Sequence, residues 1–72
     1  VDDVRQHFAA NLKARRLDAG LSQLVLAEVC GLHRTEISLL ERGLRSPRLE
    51  TVVILARGLG LTSPLPLLAG IS

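Results

Sequence analysis

Residues 33 to 36 read His-Arg-Thr-Glu, an imidazole, a guanidinium, a hydroxyl and a carboxylate in direct succession. Such a run offers hydrogen-bond donors and acceptors of several geometries within about one helical turn. Covalent catalysis would need a nucleophile beside a base, and a metal centre would need clustered ligands. No nucleophile is evident beside His7 or His33, Cys30 is the only cysteine, and there is no glycine-rich phosphate cradle. The chain is therefore expected not to be an enzyme and to use no metal, cofactor or small-molecule ligand. A second polar set follows at Arg42, Arg45 and Arg48, with Ser46 and Thr51 near them. Arginine clusters are commonly solvated faces. Here no acidic residue lies between Arg42 and Arg48, which favours an anionic partner such as phosphate.

Nine Lys and Arg against seven Asp and Glu leave a formal net charge of +2. That balance permits a polyanionic partner without requiring one. With 72 residues, 47% of them hydrophobic, the chain reads as a single domain spanning 1–72. Its core must be small, because a chain of about 60 residues buries only ~60% of its unfolded surface. Phe8 is the sole aromatic residue, so the stacking platforms that hold single-stranded nucleic acid are missing. A lone cysteine cannot close an internal disulfide, which fits a reducing cytoplasm. The opening VDDVRQHF lacks the basic start and apolar stretch of a signal peptide, and Arg57 interrupts the longest apolar region. A soluble, cytoplasmic chain without a membrane partner is expected.

The elements that must position these side chains follow from spacing. Asp2 or Asp3 can cap a first helix carrying Val4, Phe8, Leu12 and Leu17 and running to about Ala19. Gly20 ends it, and Ser22 is an N-cap for a second helix with Leu26, Ala27 and Cys30 inward. Only Gly31 and Leu32 separate this from a third helix that starts near His33, keeps Ile37 and Leu40 on one face and closes at Gly43. So short a connection, with glycine free to take a positive φ, turns the two helices sharply and makes a helix-turn-helix over about 22–42. Pro47 and the residue before it hold a loop open, and a fourth helix places Leu49, Val52, Leu55, Ala56 and Leu59 on one stripe. Ser63 and Pro64 predict a short fifth helix to about Ala69. The expected fold is all-α, a compact bundle of five short helices.

The run from Gly20 to Gly43, GLSQLVLAEVCGLHRTEISLLERG, resembles the lambda-repressor-like family of helix-turn-helix DNA-binding domains, also called the Cro-type or xenobiotic-response-element family. The match falls on Leu21, Ser22, Gln23, Leu26, Ala27, Gly31, Ile37, Ser38, Glu41, Arg42 and Gly43. Phe8, Leu12 and Arg16 before it, and Pro47, Leu49, Thr51, Leu55, Ala56 and Leu59 after it, also fit. The resemblance implies a sequence-specific transcriptional regulator of bacterial or phage type, similar to small controller proteins and repressors, that binds a double-stranded DNA operator. In such a domain the third helix enters the major groove by its N-terminus. That assigns base reading to His33, Arg34, Thr35 and Glu36.

Arg34 can bond guanine O6 and N7 together, Thr35 can touch a thymine methyl or a phosphate, and Glu36 can accept from a cytosine amine. Glu36 also meets repulsion near phosphates unless an arginine screens it. His33 is either the helix N-cap or a phosphate contact. The resemblance further implies DNA-backbone contacts from Ser22, Gln23, Ser38, Arg42, Arg45, Arg48 and Thr51, with Gln23 alternatively supporting helix three. It also implies an ion pair between Arg16 and Glu41 that ties helix one to the end of helix three.

Some positions usually polar in the family are apolar here: Leu24, Val25, Leu39, Val53 and Ile54. The leucine-rich end, with Leu61, Leu65, Leu67, Leu68 and Ile71, holds more apolar residues than a core this small is expected to hide. A dimerisation segment over about 61–72, using Ile54, Leu61, Leu65, Leu68 and Ile71, suits the family's two-fold dimers. A homodimer on a roughly palindromic operator is thus the expected assembly. The competing expectation is a protein-interaction module on the same scaffold, or an antitoxin-type partner protein, with the exposed apolar positions of helices two and four as its interface.

Overall fold

The computed structural model describes residues 3–71. Four α-helices follow one another: α1 (Asp3–Asp18), α2 (Gln23–Cys30), α3 (Arg34–Glu41) and α4 (Leu49–Gly58). The Asp2 cap expected for α1 lies outside the described residues, and so does the side chain of Asp3. Among the described residues no helix is long and apolar enough to cross a membrane.

The inward stripe of α1 is Phe8, Leu12 and Arg16, spaced four apart, with Ala9 beside it. Leu17, expected inward, is 57% exposed because the place on that stripe belongs to Arg16 one residue earlier, which is buried. Ser22 caps α2, its Oγ accepting from the Val25 N–H at 3.1 Å. Gly31 ends α2 at φ 69°, and its N–H and that of Leu32 return to carbonyls of α2. A side chain at that φ would be strained, so the tight turn into α3 depends on glycine.

Leu26 and Ala27 of α2, Ile37 and Leu40 of α3, and Val52, Leu55 and Ala56 of α4 close one core around Phe8 and Leu12. Each fully buried leucine in such a core contributes about 1.5–3 kcal/mol. On α4 the stripe starts at Val52. Leu49, expected to share it, occupies the first residue of the helix, one turn short of the first buried position, and is 78% exposed.

The expected fifth α-helix is instead a single 3₁₀ turn, Leu65–Leu68. A residue before proline, here Leu65, is sterically disfavoured in α geometry. The turn closes with Leu67 N–H donating to the Pro64 carbonyl at 2.9 Å. Ser63 Oγ accepts from the Leu65 N–H at 3.1 Å. The turn is held on α1 by Asn11, whose Nδ2 donates to the carbonyls of Leu67 at 3.0 Å and Ala69 at 2.8 Å.

That docking changes the account of the leucine-rich end. Leu67 is fully buried, and Leu61 and Ile71 pack half-buried on the core. The small core therefore hides more of these residues than expected. Leu65, Leu68 and Ile54 remain exposed.

Gly58, near the end of α4, has a packing role. A Cβ there would lie 2.4 Å from the sulfur of Cys30 on α2, with Val29 and Leu26 behind it. The thiol also lies 3.7 Å from the Ile54 carbonyl oxygen, in donating position. Burial pushes the Cys30 thiol pKa above the ordinary range.

Candidate nucleic-acid interface

His33 is the N-cap of α3, with extended φ −75° and ψ 144°, and makes no side-chain capping bond. Its carbonyl accepts from the Glu36 and Ile37 N–H groups. The side chains of His33, Arg34 and Thr35 are all exposed. Ile37 and Leu40 bury the opposite face of the helix, which turns the first-turn residues outward. Ser38 follows Arg34 by four residues on the same face and is half-buried.

Glu36 is turned toward the loop after α3. Its Oε1 accepts from Nη1 of Arg45. The lack of acidic residues between Arg42 and Arg48 therefore does not leave Arg45 unpartnered, because its carboxylate comes from α3. Glu36, Arg45, Ser46, Arg48 and Thr51 line one open concavity of ≈ 580 Å³. Arg48 is the N-cap of α4, and Arg42 is the exposed C-cap residue of α3. Arg5, which sequence reasoning did not single out, reaches the same surface by donating from Nε to Ser46 Oγ at 2.9 Å. Nothing in the local sequence near Arg5 marks it, since its partner is 41 positions away.

Behind this surface the orientation of α3 is set by a polar clamp. Arg16 donates from Nε to Glu41 Oε2 at 2.6 Å, from Nη2 to Glu41 Oε1 at 3.0 Å and from Nη1 to the Leu21 carbonyl at 2.8 Å. Gln23, the first residue of α2, donates from Nε2 to Glu41 Oε1 at 3.1 Å. One guanidinium and one carboxylate thus join α1, the α1–α2 connection, α2 and the end of α3. The hydrogen bond to Glu41 raises the Arg16 pKa further, against the opposing cost of burial and with a smaller coulombic contribution from the same carboxylate. Gln23 thus hydrogen-bonds the carboxylate at the end of α3 from the start of α2.

The arrangement offers cations and hydrogen-bond donors on a rigid frame, and hydrogen-bonding side chains at an outward helix start. Among the described residues, no group of three or more His, Cys, Asp or Glu side chains is gathered where a metal could be held.

A family model described as helix-turn-helix matches residues 12–66. The chain belongs to this helix-turn-helix family. As a helix-turn-helix protein it is 42% identical over 62 residues to the control protein C.SmaI of Serratia marcescens, covering 86% of this chain and 74% of that protein. Among solved structures it is similar to the hypothetical transcription factor NHTF from Neisseria, with TM-score 0.85 and 33% identity, covering 94% of this chain and 78% of that one. It is likewise similar to the restriction-modification controller protein C.AhdI from Aeromonas hydrophila, with TM-score 0.81 and 36% identity, covering 85% of this chain and 91% of that one. The helix-turn-helix fold places α2 and α3 as the paired helices, with Gly31 between them.

Proposed function

We propose that this protein is a transcriptional regulator of the controller type that binds double-stranded DNA in a bacterial cytoplasm. In this reading α3 enters the major groove by its N-terminus, with Arg34 and Thr35 against base edges and Arg42, Arg48, Ser46 and Thr51 along the sugar-phosphate backbone. The observation that carries it is the exposure of Arg34 and Thr35 at the start of a helix whose far face is core, next to the arginine-bearing loop. The similarity to named controller proteins of restriction-modification systems supports the same reading.

The protein acts as a homodimer on a roughly palindromic operator. Leu65 and Leu68 of the C-terminal turn and Ile54 of α4 are exposed, and Leu61 and Ile71 are half-buried, which leaves apolar side chains available for a self-complementary contact. A two-fold dimer would set its two copies of α3 about 34 Å apart.

Gel retardation of a random duplex at low and high salt tests the DNA reading. Binding should fall steeply with salt, since each neutralised phosphate adds about 0.9 to the log–log slope. Binding that is absent at low salt refutes it. Sedimentation tests the assembly: a dimer at micromolar concentration that Leu65→Glu converts to monomer is expected, and a wild-type monomer at high concentration excludes the dimer.

A further inference from the structure

The concavity beside α3 contains a carboxylate where the surrounding groups are cations and hydroxyls. Glu36 stands there with Arg45, Ser46, Arg48 and Thr51, and Arg5 is bonded to Ser46 from α1. A carboxylate facing a polyanion is repelled. Here its charge is met by Arg45, through one guanidinium nitrogen and one carboxylate oxygen.

The two partners are unequally enclosed, the Glu36 side chain being 25% exposed and the Arg45 side chain 51%. Glu36 stands on a helix whose other face is locked into the core by Ile37 and Leu40, while Arg45 stands on the loop. The single-point contact leaves Glu36 Oε2 able to accept another hydrogen bond. In the major groove cytosine presents only its N4 amino donor. Guanine and thymine present acceptors there, and adenine sets its N7 acceptor beside its amino group. A negatively charged acceptor therefore favours cytosine over the other three bases.

We infer that Arg45 is a positioning residue that acts through Glu36. It orients and screens the carboxylate so that Glu36 reads the amino group of a cytosine, and it does not serve chiefly as a phosphate contact. The inference rests on α3 being the base-reading helix and deepens that reading by naming a specificity-determining pair.

The test starts with selection of preferred duplexes from a randomised pool by the wild-type protein. Binding of wild type, Glu36→Gln, Arg45→Ala, Arg45→Lys and the Glu36→Gln/Arg45→Ala double variant is then measured on duplexes carrying each base at each selected position. One position should prefer cytosine by about tenfold in wild type. Glu36→Gln should lose that preference and move it toward adenine, which a glutamine amide bonds in two places. Arg45→Ala should lose the preference at the same position, Arg45→Lys should keep part of it, and the double variant should show the same base preference as Glu36→Gln alone.

Salt dependence on random duplex gives a second readout. Glu36→Gln should steepen the log–log slope by about 0.9, as Arg45 is released to a phosphate, while Arg45→Ala should leave it near the wild-type value. Arg45→Ala that weakens all four bases alike and lowers the slope by about 0.9 overturns the inference while leaving the base-reading helix intact. A wild-type protein that selects no sequence overturns the parent reading, and this appears before any variant is compared.

Discussion

The guanidinium of Arg16 and the carboxylate of Glu41 meet side by side, Nε to Oε2 at 2.6 Å and Nη2 to Oε1 at 3.0 Å, with side-chain exposures of only 10% and 3%. Pairs this enclosed differ from surface ion pairs in what their loss does, since the surviving charge has no water to turn to. Arg16→Ala should therefore destabilise the fold by about 3–5 kcal/mol, a large share of what a small domain has. Urea unfolding measures it through the shift in midpoint at constant slope. A loss below about 1 kcal/mol would mean the pair behaves as a solvated surface contact.

Gly58 and Cys30 form a close approach between α4 and α2, with no room for a methyl group between them. Gly58→Ala removes the helix-propensity cost of glycine, worth about 1 kcal/mol, but drives a Cβ into the sulfur. Overpacking of this kind costs about 1–3 kcal/mol, so the variant should be no more stable than wild type and is expected to be less. Cys30→Ala opens the space, and the Gly58→Ala/Cys30→Ala double variant should be more stable than the sum of the two single changes predicts. Additive thermal shifts would show that the clash is absorbed elsewhere.

Burial raises the Cys30 pKa in the folded state above its unfolded value. The folded chain then holds the thiol proton more tightly, and the stability this confers is complete below the unfolded pKa of about 8.5. It is lost as pH rises from there through the folded pKa. The difference in unfolding free energy between wild type and Cys30→Ala should be constant from pH 6 to 8 (about) and shift against wild type above roughly pH 8.5. A difference that stays flat at high pH contradicts the burial argument.

Much of the local architecture is legible because its causes are local. Ser22 sits at the hydrogen-bonding distance its cap requires, and Gly31 holds the positive φ that the two-residue connection demands. Leu49 and Leu17 mislead because spacing alone does not tell which turn of a helix has left the core, or that an arginine will occupy an inward position. Residues 63–68 mislead because Ser63 and Pro64 are good helix-start residues, while Pro66 disfavours α geometry at Leu65 and a single 3₁₀ turn forms instead. Glu36 to Arg45, Arg5 to Ser46, Asn11 to the C-terminal turn and Cys30 to Gly58 all join different elements. None leaves a periodic trace, and each needs the relative placement of elements that only packing supplies. The Arg16 to Glu41 partnership is likewise invisible to spacing and enters through family resemblance alone.

Whether the start of α3 reads bases is tested most directly by Arg34→Ala on duplexes selected by the wild-type protein. Affinity for every single-base variant of the selected site is compared between the two proteins at one fixed salt concentration. Loss of discrimination at one base pair, worth about 1–3 kcal/mol, with preferences elsewhere retained, is the predicted result. Equal weakening on all duplexes, with the preference pattern unchanged, would place Arg34 on the backbone and contradict its assignment as a base reader at the start of α3.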